Sequence, residues 1–137
     1  MRIQRKRVLA LLFAAAVASC DGDELPPGPP EPTGPGFLAV VLDSPNNNTG
    51  ALLVTISGGP VDSVQANQLT FRTAEIATNQ HQVIVAGSVR DASVIFRFWI
   101  PDLGDMADYR ATLEQAAARG LYTQLSLEGY ALRIALD

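Results

Sequence analysis

Residues 37–57 read FLAVVLDSPNNNTGALLVTIS, and the way they are read decides the fold. Phe37–Leu42 is apolar at every position, as expected of a strand covered on both faces. Asp43-Ser44-Pro45-Asn46-Asn47-Asn48-Thr49-Gly50 then gathers turn-forming residues and ends it. From Ala51 to Ser57, Leu52, Val54 and Ile56 fall on one face of an extended chain, whose side chains alternate with a period of two. Two short apolar runs joined by a polar turn predict two β-strands rather than a helix.

The rest of the domain extends this pattern. Gly58-Gly59-Pro60 reads as a hairpin turn, and Val61–Ala66 and Leu69–Thr73 are weaker strand candidates. Gln82–Val89 and Val94–Ile100 are β-branched and aromatic, with Arg90-Asp91-Ala92-Ser93 between them. At the end of the chain Tyr130, Leu132, Ile134 and Leu136 face one way, and Ala131, Arg133 and Ala135 the other. Asp105–Arg119 supports two readings. Met106, Tyr109, Leu113, Ala116 and Ala117 recur at helical spacing before the stop at Gly120, which predicts a short helix. Tyr109, Ala111 and Leu113 also alternate with Arg110, Thr112 and Glu114, which predicts a strand. The expected fold class is all-β: about seven short strands in one antiparallel β-sandwich over residues 37–137, with helix and strand both open at 105–119.

The opening FLAVVLDSPNNNTGALLVTI, the late VIFRFWIPD and the closing GYALRIAL resemble the cohesin-like and carbohydrate-module sandwiches of bacterial extracellular proteins. That family also places an apolar late strand before a tyrosine-containing segment and a final edge strand. The resemblance implies a fold and names no activity.

Upstream, residues 21–36 read DGDELPPGPPEPTGPG and hold six of the nine prolines. Such a stretch cannot bury a core and favours extended polyproline II structure. At about 3.1 Å per residue it spans at most roughly 50 Å. Before it, Arg2, Arg5, Lys6 and Arg7 precede an uncharged run from Val8 to Ala18. The run is too short for a spanning helix, which needs about 20 apolar residues, and it has the form of an export signal. Val17-Ala18-Ser19-Cys20 resembles the lipobox of bacterial lipoproteins. The resemblance implies a signal peptide over residues 1–19, cleavage between Ser19 and Cys20, and a lipidated Cys20 at the head of a tether over 20–36. The expected location is a cell membrane, with the domain facing the periplasm or the exterior and the bilayer engaged through acylated Cys20. Single acyl chains hold only marginally, whereas two or three hold durably.

Loss of residues 1–19 removes the only lysine and leaves six arginines against fourteen carboxylates, a formal charge of −8. A lysine-free, acidic surface argues against nucleic acid and anionic lipid as partners. With Cys20 lipidated, no thiol remains for a disulfide, a nucleophile or a metal. A hydrolase needs a nucleophile with a base positioned on it; the only histidine, His81, lies in the polar run Asn79–Gln82 and is expected in a solvated loop. No enzymatic site is predicted. Calcium is the one cofactor with candidate ligands: Asp102, Asp105 and Asp108 lie three apart, and Asp43 with Asn46 and Asn48 makes a second oxygen-rich loop. Helix capping explains Asp102 and Asp105 equally well. Trp99 is expected on the outer face of its strand with Arg97 and Ile95, opposite Val94, Phe96, Phe98 and Ile100. An exposed Trp99 beside Arg97 would suit a sugar or a protein partner; a loop or the 105–119 segment would otherwise cover it. The sequence therefore predicts a non-enzymatic module that binds an envelope protein or plays a structural role, with glycan binding as the alternative and a small hydrolase as the third reading.

Overall fold

The computed structural model describes residues 25–137. The signal segment 1–19, the cleavage position at Ser19 and the lipidation site Cys20 lie outside the described residues. Residues 25–33 are exposed and have no regular secondary structure, in keeping with a proline-rich chain that has nothing apolar to bury.

Nine strands follow: β1 (Gly36–Asp43), β2 (Thr49–Ser57), β3 (Ser63–Gln65), β4 (Thr70–Ala77), β5 (Gln80–Ala86), β6 (Ser93–Ile100), β7 (Arg110–Ala118), β8 (Gln124–Leu125) and β9 (Ala131–Leu136). One sheet has the order β3-β6-β1-β9 and the other β4-β5-β2-β7-β8. Every pairing is antiparallel. The core lies between the two sheets. Leu38, Val40 and Leu42 of β1 meet Leu52, Val54 and Ile56 of β2, with Val83, Val85, Phe96 and Phe98 completing it. Each such side chain contributes roughly 1.5–3 kcal/mol by leaving water.

Residues 105–119 contain no α-helix. A 3₁₀ helix covers Leu103–Asp108, and β7 then runs from Arg110 to Ala118 between β2 and β8. The helical spacing has a specific origin. Leu53 pairs with Gln115 and Val54 with Leu113, so Glu114 is a bulge residue without a partner on β2. The inward set therefore changes phase, from Tyr109, Ala111 and Leu113 to Ala116 and Ala118, which imitates i, i+4, i+7.

A second bulge corrects the faces of β6. Val40 pairs with Phe96 and Val41 with Val94, which leaves Ile95 unpaired. Ile95 turns into the core at 1% exposure, while Val94 turns outward at 38%. Gly58-Gly59-Pro60 also differs from expectation. It is a corner that carries the chain from one sheet to the other, because β2 and β3 belong to different sheets. Gly58 has φ +114°, and a Cβ there would run into the Asp108 carbonyl. The Tyr109 hydroxyl donates to the Pro60 carbonyl at 2.7 Å and holds the corner against β7.

The registers sort the connections into two ends. Gly36 pairs with Ile100, and Ser57 with Gln80 and Arg110. The tether therefore enters at the same end as Gly58–Pro60, the Thr78-Asn79 turn and the 3₁₀ helix. The opposite end gathers the connections 44–48, 66–69, 87–92, 119–123 and 126–130. Cross-links tie several of these together: Ser44 N–H donates to Asp91 and Arg119 N–H to the Asn48 carbonyl. The buried Thr49 hydroxyl lies 2.7 Å from that of Tyr130.

Candidate functional site

Trp99 is half-buried on the outer face of the four-stranded sheet. Its ring meets that of Phe37, its partner across β1, edge to face at 4.8 Å between centroids. Arg97 lies two residues earlier on the same face, and its Nε donates to the carboxylate of Asp137. The pair thus forms a ridge stabilised by its own neighbours, with the indole packed on Phe37 and the guanidinium already partnered.

The carboxylates are spread out. Asp102 Oδ1 accepts N–H bonds from Gly104 and from Gly34, both at 2.9 Å, which makes it the cap of the 3₁₀ helix. These two bonds hold its carboxyl below the usual range, with the Gly104 bond the larger cause. Asp105 and Asp108 are exposed. In the other oxygen-rich loop, Asn46 Oδ1 accepts from Asn48 N–H at 3.0 Å, and Asp43 pairs with Arg133 at 3.0 Å. Among the described residues no three His, Cys, Asp or Glu side chains converge where an ion could sit. His81 is placed in β5 rather than in a loop, opposite Ile56 on β2 and Glu75 on β4, and is partly exposed.

A concavity lies on the outer face of the five-stranded sheet, lined by none of the site residues predicted from the sequence. Ala86, Ala51 and Ala117 stand side by side across β5, β2 and β7, with Gln124 of β8 beyond them. The neighbouring row is Ile84, Leu53 and Gln115. Small side chains beside large ones leave a trough of about 370 Å³, lined also by Tyr122. That volume is toward the lower end of the roughly 300–1,000 Å³ found for small-molecule sites. Ile84 is 49% exposed and Tyr122 61%, so apolar surface faces solvent here. No lining residue carries a charge.

Tyr122 reaches the trough through a strained turn. Its φ of +51° lies in the left-handed region, which a bulky residue rarely occupies. The turn holds because Tyr122 N–H donates to Ala118 O at 3.0 Å and Ala118 N–H to Thr123 O at 2.8 Å. Two other non-glycine residues with positive φ, Gln68 and Ala92, lie at the same end of the sandwich. The fourth, Asn79, lies at the tether end and belongs to a residue type that tolerates this geometry. Strain of this kind costs of order 1–3 kcal/mol per residue and concentrates at functional sites. One signal of the site was present in the sequence: Gly120 is followed by Leu121 and Tyr122, two large apolar residues outside any strand pattern, and both are exposed.

The chain matches no protein-family model, no curated protein and no solved structure in these comparisons.

Proposed function

We propose that the chain is a membrane-anchored bacterial lipoprotein whose β-sandwich is a non-enzymatic binding module of the cell envelope. The lipobox-like Val17–Cys20 supplies the anchor and the proline-rich segment the tether. The observation that carries the binding role is the polarity of the sandwich. The tether joins one end at Gly34–Gly36, while the strained loops and exposed Leu121 and Tyr122 occupy the other. Binding residues commonly sit on loops positioned by a rigid sheet scaffold. A domain held from below would present that end, and the trough beside it, away from the bilayer. Its ligand is an envelope component, protein or glycan, and no cofactor is needed for such a role.

Fractionation of cells expressing the full chain tests the anchor. The unaltered protein is expected in the membrane fraction and to incorporate labelled palmitate. Cys20→Ser is expected to appear in the soluble fraction without label. A Cys20→Ser protein that stays with the membrane would overturn the anchoring.

A further inference from the structure

We propose that the trough between Tyr122 and the Ile84–Leu53–Gln115 row binds an uncharged saccharide, a reading that rests on the domain being a binding module. The electrical character of the lining selects the occupant. None of the lining residues is charged, and Arg72, beside Ile84 on β4, lies outside the lining and donates to the Phe71 carbonyl. An ionic ligand would lose hydration in the trough and gain no counter-charge from its walls. Two carboxamides do face the trough, Gln115 on β7 and Gln124 on β8. They flank Ala117, since Gln115 is two residues before it on the same face and Gln124 pairs with it. Each amide offers two donors and an acceptor, which complements a sugar hydroxyl that both donates and accepts. The rest of the lining is apolar or aromatic, suited to the C–H face of a pyranose ring. The alanine floor supplies the depth. A side chain larger than Ala51 or Ala117 would fill the space that a ring needs.

The alternative ridge of Trp99 and Arg97 lacks these features. Its indole is packed on Phe37, and its cation is paired with Asp137. Tyr122, by contrast, is more than half exposed on a turn fixed by two backbone hydrogen bonds. A backbone fixed before binding has less freedom to lose on binding.

The test is a titration of the full chain, kept in a detergent without a sugar headgroup and followed by NMR. The probes are the neutral hexasaccharides of cellulose, chitin and starch, with trigalacturonate as the charged control. At least one neutral probe is expected to shift the side-chain amide signals of Gln115 and Gln124. Tyr122→Ala should weaken that binding at least about tenfold, the effect of a contact residue at a small site. Tyr122→Phe should keep it within about threefold, and Trp99→Phe should leave it unchanged. Near-unchanged amide spectra elsewhere would show that each variant is folded. The proposal is overturned if none of the neutral probes shifts the two glutamines at millimolar concentration. It is equally overturned if trigalacturonate binds as well as they do, or if the shifts cluster around Trp99 and Phe37. A trough that ignores all three sugars while taking an apolar dodecapeptide would point to a protein partner, with the anchor and tether untouched.

Discussion

Asp102 accepts the amide of Gly34 at 2.9 Å across 68 residues of sequence, and the same oxygen caps the 3₁₀ helix through Gly104. One carboxylate therefore fixes both the point where the tether leaves the sandwich and the start of the segment that leads into β7. The Gly34 carbonyl reinforces the junction by accepting from Leu103 N–H at 2.7 Å. The tether end of the domain is defined by this contact.

The junction should be sensitive to acid. Asp102 is lowered in the folded chain, so its contribution is present above the unfolded value near pH 3.9 and is lost as pH falls through the folded value. Asp102→Asn is expected to melt lower than the unaltered chain at neutral pH, with the difference shrinking below about pH 4. Amide exchange at Gly34 and Gly104 should quicken in the variant. A constant difference in melting temperature from pH 7 to pH 2.5 would contradict the role given to this carboxylate.

At the other end, Thr49 is fully buried and its hydroxyl meets that of Tyr130 at 2.7 Å. This contact ties the start of β2 to the entry of β9. Thr49→Val and Tyr130→Phe should each lower stability by about 0.5–1.5 kcal/mol. The double variant should cost less than the sum, because the second change removes a group already without its partner. Urea denaturation of the four chains in the cycle measures this. Full additivity would mean that the hydroxyls do not interact.

Trp99 should be partly, not fully, shielded. Acrylamide is expected to quench its emission at a rate between those of free indole and a core tryptophan. Phe37→Ala should raise that rate, since Phe37 packs against the ring. A rate unchanged by Phe37→Ala would mean that another segment covers the indole.

The parts of the fold legible in sequence are those in which a strand keeps one phase. In β2 the buried residues alternate without interruption from Ala51 to Ser57, and in β1 Phe37 to Leu42 are all apolar because both faces are largely covered. Legibility fails where a bulge intervenes. Glu114 shifts β7 by one residue and gives a strand the spacing of a helix. Ile95 does the same in β6 and exchanges the expected places of Val94 and Ile95. Periodicity cannot locate an extra residue that only the partner strand reveals. The trough was hidden for a related reason. Its floor includes Ala51 and Ala117, brought side by side by register and far apart in the chain. Trp99 attracted attention as the largest aromatic, yet its neighbour Phe37 belongs to a strand 62 positions earlier.

The measurement that bears most directly on the functional reading places a photoreactive residue in the full chain in living cells, once at Gln124 in the trough and once at Asp105 at the tether end. Irradiation is expected to yield a covalent adduct with an envelope component from position 124, lost in the Tyr122→Ala background, and none from position 105. Adducts from position 105 alone, or from position 124 regardless of Tyr122, would contradict a binding surface held at the end of the sandwich opposite the tether.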